Sequence, residues 1–187
     1  TLASSREGEE LVFLSSIQKY MKNQPVAGVN NAYSAIKNIA NVKNTTWMIV
    51  PRHPQRFDAV AQLIESQGFK VLRRSQWSVD DMSNLQRDPD DNTILLGDSL
   101  GEMALYYGMS DVALLGGSFE PLGGQNLIEA AACGCPVVMG PSVFNFAEAA
   151  QLSLQAGAAV QVDDMQLAVQ AACDMVHNRE ALQGAQE

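Results

Sequence analysis

The feature that most constrains the fold is a series of short apolar segments, each followed by a longer one whose apolar residues recur at helical spacing. The run Trp47-Met48-Ile49-Val50 has no polar alternation, which is typical of a strand buried on both faces of a parallel sheet. Strands are likewise predicted at 69–72, 93–96, 111–115, 136–139 and 158–161, and helices at 7–22, 31–41, 57–67, 100–107, 126–133, 145–156 and 164–177. This alternation predicts an α/β fold, a doubly wound parallel sheet with right-handed crossovers.

Local signals mark the ends of these segments. The first residues are interpreted as the end of a strand that runs directly into a helix, and Ser4-Ser5-Arg6-Glu7 has the form of a capping box for that helix. Residues 23–31 and 75–92 are polar and are interpreted as loops.

Composition limits the class of protein. The chain has 187 residues, of which 47% are apolar, enough for one domain with a sizeable core. Its 12 basic and 21 acidic residues leave a net charge of −9, which argues against a dedicated nucleic-acid binder. No apolar run approaches the roughly 18 residues of a membrane span, so the chain is expected to be soluble. It begins with neither a signal peptide nor a Met, and we expect a fragment of a longer protein.

Three cysteines, Cys133, Cys135 and Cys173, are an odd number without the spacing of a disulfide framework, and they favour a reducing cytoplasmic setting. Cys133-Gly134-Cys135 could be half of a metal site, but no second cysteine pair accompanies it. We therefore expect buried free thiols, no metal site and no cofactor.

In a doubly wound sheet, ligands bind beyond the carboxyl ends of the strands, so the residues after each predicted strand are the candidates. Arg52 follows the strand at 47–50 in a turn stiffened by two prolines, where its guanidinium could clamp a phosphate or could be a solvated surface charge. Asp98 or Ser99 follows the strand at 93–96 and is expected to cap the next helix. The first N–H groups of that helix could then donate to an anion or a base edge, or the cap could be an ordinary one.

The strongest candidate follows the strand at 111–115. Gly116-Gly117 and Gly123-Gly124 flank a loop that leads into a helix, and glycines with a helix N-terminus are suited to holding a phosphate. The loop matches neither the dinucleotide fingerprint nor the P-loop. Glu129, three residues after Asn126, could accept hydrogen bonds from two ribose hydroxyls or could only complement the helix dipole.

One further segment follows the strand at 136–139. Ser142 or Asn145 is expected to cap the helix at 145–156. The rings of Phe144 and Phe146 are expected to pack in the core or as a hydrophobic staple rather than to stack on a base.

Six segments together resemble a known family, in the order of that family. They are Glu-Gly-Glu-Glu (7–10), Val-Pro-Arg-His-Pro-Gln-Arg-Phe (50–57), Gly-Asp-Ser-Leu-Gly-Glu-Met (97–103), Gly-Gly-Ser (116–118), Gly-Gly-Gln-Asn-Leu-Ile-Glu-Ala (123–130) and Met-Gly-Pro-Ser-Val-Phe-Asn-Phe (139–146). They resemble the carboxyl-terminal half of 3-deoxy-D-manno-octulosonic acid (Kdo) transferases, the lipid A glycosyltransferases of Gram-negative bacteria. The resemblance covers about 7–160, nearly the whole chain.

The resemblance implies a GT-B glycosyltransferase with two Rossmann-like domains, of which residues 1–187 would be the single donor-binding domain. The donor would be CMP-Kdo. Carried over to the matching positions, the CMP phosphate would meet Pro51 and Arg52, and the cytidine would meet Gly101, Glu102 and Met103. Ribose and phosphate would meet Asn126, Leu127, Ile128 and Glu129. Possible additional contacts are Gly117, Ser118, Gly123, Gly124 and Gln125, the last standing where the family usually has His.

The resemblance also implies that the amino-terminal domain of such an enzyme is absent from this chain. That domain would supply the carboxylate general base, the groove for the lipid A precursor and the membrane attachment, at the cytoplasmic face of the inner membrane. The whole enzyme would transfer Kdo with inversion and without a required metal. No catalytic residue is then expected in this chain, which would bind the donor without turnover.

Two other functions stay open from the residues alone. The domain could use a UDP-sugar as donor, because a fold does not determine its chemistry. It could also be a non-catalytic α/β interaction domain whose glycine pairs only form tight turns.

Overall fold

The computed structural model describes residues 1–22, 45–77 and 92–186. Its strands are β1 (Leu2–Ser5), β2 (Trp47–Pro51), β3 (Lys70–Arg73), β4 (Thr93–Leu96), β5 (Ala113–Leu115), β6 (Val137–Met139) and β7 (Ala159–Gln161). Its α-helices are α1 (Glu9–Met21), α2 (Phe57–Ser66), α3 (Met103–Gly108), α4 (Ile128–Ala132), α5 (Ala147–Gln155), α6 (Met165–His177) and α7 (Arg179–Gln186). Short 3-10 helices lie at Pro54–Arg56, Arg74–Gln76 and Phe144–Phe146.

The strands form one parallel seven-stranded sheet in the order β3-β4-β2-β1-β5-β6-β7. From β1 the chain first builds the half that contains β2, β4 and β3, and it then returns to add β5, β6 and β7 on the other side. The direction therefore switches between β1 and β5. Ligands of doubly wound sheets bind in the crevice at the carboxyl ends of such a pair of strands.

Helices cover both faces of the sheet, and successive residues of β1 show why. Leu2 lies on one face, in a fully buried cluster with residues of α1, α2 and α6. Ala3 lies on the other face, in a second cluster with residues of α3, α4 and α5. Successive side chains of a strand point to opposite faces, so strands covered on both sides are apolar throughout. The predicted doubly wound fold is confirmed.

Most of the predicted elements are also confirmed, with ends that differ by a few residues. The loop at 23–31, the helix at 31–41 and most of the loop at 75–92 lie outside the described residues. The sequence does not predict α7. The expectation of a core position is wrong for Phe144, which is 66% exposed, whereas Phe146 packs against the second cluster.

The predicted capping box at Ser4–Glu7 is wrong, because the strand continues further than expected. Ser4 lies in β1, and α1 begins only at Glu9. The Arg6 N–H donates instead to the Glu9 carboxylate at 2.8 Å, while the Glu9 N–H donates to the Arg6 carbonyl at 3.1 Å. This reciprocal pair stabilises the turn two residues beyond the predicted position.

The three cysteines are free thiols as predicted, but the expected burial is wrong for Cys133, which is only partly buried. Cys133, Cys135 and Cys173 form no disulfide, the last two are buried, and burial raises the pKa of the Cys135 thiol to about 11. Among the described residues, no helix is long and apolar enough to cross a membrane.

The strands β1 and β5 approach so closely that Gly116 has no room for a side chain. Its N–H donates to the Ala3 carbonyl at 2.8 Å, which extends the pairing past the end of β5. A Cβ on Gly116 would lie 2.4 Å from the Ser4 carbonyl oxygen and 2.5 Å from that of Ala3. Both are backbone atoms, which cannot rotate away as a side chain can.

We expect Gly116→Ala to lower the free energy of unfolding by about 1–3 kcal/mol or more, because the added methyl group forces β1 and β5 apart. Urea denaturation measures the change. The matched control is Gly108→Ala at the end of α3, where a Cβ meets nothing within 4 Å. Equal stability of the two variants would contradict the close approach.

Candidate functional site

The carboxyl ends of β4, β2, β1 and β5 lie side by side, because these strands are neighbours in the sheet. Four segments that follow them therefore meet along one edge. They are 97–103 after β4, 51–53 after β2, the turn at Arg6 after β1, and 116–129 after β5. The first, second and fourth contain every site residue predicted from the sequence, so the fold brings those residues to the same edge.

At the end of β2, the backbone is fixed and the cation is exposed. The Arg52 N–H donates to the Ser5 carbonyl at 3.0 Å, which ties this turn to the end of β1. Pro51 is buried, and a 3-10 helix starts at Pro54. The guanidinium of Arg52 has no hydrogen-bond partner or ion pair within the described ranges, and it is therefore available to an anion.

At the end of β1, the Glu9 carboxylate connects the turn after β1 with the loop after β5. Glu9 is 2% exposed and accepts the Gly117 N–H with both oxygens, at 2.8 and 2.9 Å. It also accepts the Arg6 N–H. Burial raises the pKa of Glu9, and the charge of Glu10 adds to the rise, while backbone hydrogen bonds from Gly117, Arg6 and Phe119 offset part of it. The result is a polar link between the ends of β1 and β5.

Glu10 makes the corresponding link toward β2. Its fully buried carboxylate accepts two hydrogen bonds from Arg56, at 2.7 and 3.0 Å, and one from the Ser5 hydroxyl at 2.6 Å. The bidentate pair also raises the pKa of Arg56. The Glu-Gly-Glu-Glu segment thus holds the site together and leaves no carboxylate of Glu9 or Glu10 facing a ligand.

The segment after β4 is held by a second polar network, and Asp98 is not the expected N-cap. The Asp98 carboxylate accepts from Arg73 Nε at 2.7 Å and from the N–H and hydroxyl of Ser75 at 2.8 and 2.7 Å. Burial alone would raise the pKa of Asp98, but the hydrogen bonds from Ser75 and Arg73 outweigh it and leave the pKa below its ordinary value. Asp98 therefore fastens the end of β3 to the end of β4.

Ser99 is not the N-cap of α3 either. Glu102 occupies that position without a side-chain capping bond, and the Ser99 hydroxyl bonds the Glu102 carboxylate and the Tyr106 hydroxyl. Arg74 Nη2 donates to Glu102 at 3.0 Å. Around this network Gly101 is exposed and Met103 is half-buried, with its sulfur 3.9 Å from the Ser4 hydroxyl.

The glycine loop differs from the expectation of free amide donors. Its N–H groups are engaged within the protein: Gly117 with Glu9, Gly123 with the Ser142 hydroxyl at 2.9 Å, Gly124 with the Gly117 carbonyl at 2.9 Å, and Gln125 with the Gly116 carbonyl at 3.1 Å. The Ser118 side chain is buried, and its hydroxyl donates to the Leu115 carbonyl and accepts from Gly140. These groups shape the loop, so a ligand would meet its surface rather than a nest of unpaired amides.

Ser142 and Asn145 hold this loop and do not cap the following helix. Ser142 accepts from Gly123, and Asn145 Nδ2 donates to the Leu122 carbonyl at 2.9 Å. Gly123 has a φ of +82°, and a Cβ there would lie 2.6 Å from the Phe144 ring. The capping prediction is wrong because both polar side chains find acceptors or donors in the neighbouring loop.

At the end of the loop, Asn126 and Glu129 stand together on the surface. Asn126 Oδ1 accepts the Ile128 N–H at 3.1 Å, and its Nδ2 donates to the Glu129 carboxylate at 3.1 Å. Leu127 is buried in the core, so only its backbone is available to a ligand. In the described part of the chain, the N–H groups of Asn126 and Leu127 have no intramolecular acceptor.

The sequence does not predict Arg6, which lies between the turn after β2 and the glycine loop after β5. Its Nη1 lies 3.1 Å from His53 Nε2, and its Cγ lies 3.7 Å from the position of a Cβ on Gly117. A charged residue directly after the first strand was the available signal, since residues in that position border the crevice. Within the described ranges, no group of three or more His, Cys, Asp or Glu side chains is arranged to hold a metal ion.

Comparisons with known proteins reveal the family. The chain is 41% identical over 168 residues to a 3-deoxy-D-manno-octulosonic acid transferase of Bordetella pertussis, which covers 90% of this chain and 34% of the relative. It is 32% identical over 188 residues to the enzyme of the same name from Haemophilus influenzae, covering 98% of this chain and 38% of the relative. The chain belongs to the Kdo transferase family.

A solved structure identifies the part of the enzyme. The crystal structure of the C-terminal CMP-Kdo binding domain of WaaA from Acinetobacter baumannii matches with a TM-score of 0.75 and 26% identity, over 98% of this chain and 82% of that one. No protein-family model matches the chain. The chain spans about a third of the length of the two Kdo transferases named above. The fold is thus that of the carboxyl-terminal half of a GT-B Kdo transferase.

The Asp98 network generates a pH prediction. The pKa of Asp98 is lower in the folded protein than the value of about 3.8 expected when unfolded, so its ionised form stabilises the fold above that value. This contribution is lost as the pH falls through the folded pKa. We expect Asp98→Asn to lose about 1.5–3 kcal/mol of unfolding free energy at neutral pH, and its stability to fall less steeply in acid.

Urea denaturation from neutral pH to about pH 3 measures both effects. Asp163→Asn is the matched control, because Asp163 is exposed and has no side-chain hydrogen bond in the described structure. Parallel stability curves for wild type and Asp98→Asn would contradict the assignment.

Proposed function

We propose that this chain is the donor-binding domain of a glycosyltransferase that moves Kdo from CMP-Kdo to a lipid A precursor in lipopolysaccharide biosynthesis. The observation that carries the proposal is the match along 98% of the chain to a domain described as binding CMP-Kdo, together with the strand-end residues that this chain brings to one edge. Residues 1–187 then form a single domain. In the whole enzyme a second domain contributes the acceptor groove, the general base and the association with the inner membrane.

The residues of the site have separate roles in this proposal. Pro51 fixes the turn from which Arg52 meets the CMP phosphate. The cytidine lies against Gly101, Glu102 and Met103, a segment held in place by Arg74 and Ser99. Ribose and phosphate meet the start of α4 through Asn126, Leu127, Ile128 and Glu129.

Two observations support these roles. The Arg52 guanidinium is exposed and has no partner among the described residues, in contrast to Arg56 and Arg73, which are both paired with carboxylates. The Asn126 and Leu127 N–H groups are likewise unpaired within the described structure, next to a carboxylate that can accept from hydroxyl groups. Cations and unpaired amides suit a phosphate, and Glu129 suits a ribose.

The glycine loop has a smaller role in donor binding than the sequence predicts. Gly117, Gly123, Gly124 and Gln125 use their N–H groups internally, and Ser118 is buried. We propose that they give the loop the shape that a donor meets, and that direct contacts come from Arg52 and the start of α4.

The contribution of this domain to the reaction is electrostatic. When the bond from Kdo to the phosphate breaks, CMP leaves as an anion, and Arg52 stabilises the charge that develops on its phosphate oxygens. The proton of the attacking acceptor hydroxyl goes to a base outside this chain, so turnover requires both domains to meet.

Binding of CMP by the isolated chain tests the proposed function. Because a ligand that binds only the folded state stabilises it by about 2.7 kcal/mol at a hundredfold excess over Kd, CMP should raise Tm in a saturable way. UDP, AMP and NAD should raise it less at equal concentration. A larger shift with UDP would favour a UDP-sugar donor, and no shift with any nucleotide would favour an interaction domain.

Replacement of Arg52 tests the proposed mechanism in the complete enzyme. We expect Arg52→Ala to cost about 2–3 kcal/mol of transition-state stabilisation, measured as the fall in kcat/KM for Kdo transfer. Lys19→Ala, which removes an exposed cation from α1, is the control and should leave the rate unchanged. Unchanged turnover in Arg52→Ala would remove Arg52 from the mechanism.

A further inference from the structure

Arg6 occupies the point where the two halves of the sheet diverge. It follows β1, and the crevice of this fold lies between the carboxyl ends of β1 and β5. Its side chain runs from Gly117 after β5, where its Cγ lies 3.7 Å from a Cβ position, to His53 after β2, where its Nη1 lies 3.1 Å from Nε2. The side chain therefore lies between the ends of three neighbouring strands, with its guanidinium next to His53.

The protein holds the backbone of Arg6 firmly in this position. The Arg6 N–H donates to Glu9, and the same carboxylate accepts the N–H of Gly117. On the other side, Ser5 is tied through its carbonyl to the Arg52 N–H and through its hydroxyl to Glu10. Burying the carboxylates of Glu9 and Glu10 carries a desolvation cost. Here the two carboxylates fix the backbone on both sides of the turn.

The side chain of Arg6 is not fully used by the protein. Its Nε is buried and has no hydrogen-bond partner, and no carboxylate in the described part of the chain pairs with its guanidinium. His53 takes one of the five N–H donors that an arginine carries. A buried N–H without an acceptor is unfavourable, so a ligand oxygen that accepts from it is bound more tightly. The guanidinium of Arg56, by contrast, is paired with the Glu10 carboxylate.

We propose that Arg6 binds an oxyanion of the donor, as a second cation beside Arg52 and deeper in the crevice. This inference rests on the proposed function and adds a ligand residue to it. A planar guanidinium matches a phosphate or a carboxylate in bidentate geometry. A CMP-linked 2-keto sugar acid carries both groups close together, and the pair Arg6 and Arg52 provides a cation for each, or two for the phosphate.

Calorimetric titration of the 187-residue chain tests this with cytidine, CMP and CMP-Kdo as probes. We expect Arg6→Gln to weaken CMP binding by roughly 10- to 100-fold if Arg6 holds the phosphate, and to leave cytidine binding within about twofold of wild type. If Arg6 holds the carboxylate, CMP binding stays at the wild-type value and CMP-Kdo binding falls by the same factor. Either result supports the inference and identifies the group.

Two further variants keep the test decisive. Arg6→Lys keeps the charge but loses the fork, and we expect a smaller loss with the same probe. Lys19→Gln on α1 is the charge-matched control and should bind like wild type. Thermal unfolding without ligand verifies that each variant is folded, and the affinities are compared among folded variants only.

The two proposals fail in different ways. Wild-type affinity for both CMP and CMP-Kdo in the folded Arg6 variants overturns the role of Arg6 and leaves the proposed function intact. A wild-type chain that binds none of the three probes overturns the proposed function and, with it, the inference.

Discussion

The structure depends on one buried carboxylate. Glu9 follows β1 in the chain, yet it accepts the N–H of Gly117, a residue 108 positions away, and thereby ties together the two strands between which the crevice opens. Such a group is costly to bury, and burial accordingly raises the pKa of Glu9. The hydrogen bonds from Gly117 and Arg6 make the burial tolerable. They also fix the position of the glycine loop relative to the β1–α1 turn.

The same design repeats along the edge of the sheet. Glu10 pairs with Arg56 and connects the ends of β1 and β2, while Asp98 pairs with Arg73 and connects the ends of β4 and β3. Removing one partner of such a pair destabilises the fold, because the other charge is left uncompensated. Three carboxylates therefore act as ties between strand ends. Among the arginines whose side chains the structure describes, Arg6 and Arg52 have no carboxylate partner, and both follow strands that end at this edge. The edge is therefore a candidate anion site.

The sequence predicts the fold well because the relevant signals are local. Segments such as Trp47–Val50 are apolar on both faces, and the fold that buries both faces of every strand is a doubly wound sheet. The edge that carries Arg52, Gly101 and Glu129 follows from the same argument, since parallel strands all end on one side. These statements require only neighbouring residues and general topology.

The details that fail depend on partners far away in the sequence. Ser142, Asn145 and Asp98 have the side chains of N-caps, but each finds a better partner in an adjoining loop: Gly123, Leu122 and Ser75 respectively. The glycine loop has the composition of a phosphate loop, but its amides are engaged by Glu9 and by its own carbonyls. Arg6 is not predicted because its position at the crevice depends on β1 and β5 being neighbours, which the sequence alone does not show. A fold alone does not determine which reaction a domain serves, and here it is the similarity to Kdo transferases that indicates the reaction.

We propose that the ends of β1, β2, β4 and β5 together form one donor site. The most direct measurement is an NMR titration of the isotopically labelled chain with CMP, following the backbone amide signals. If CMP binds at this edge, the signals of residues 5–6, 52–53, 98–103 and 126–129 shift together with a single Kd, while those at the opposite edge of the sheet, such as 67–69 and 134–135, stay in place. Shifts confined to the opposite edge, or separate Kd values for the four segments, would contradict it.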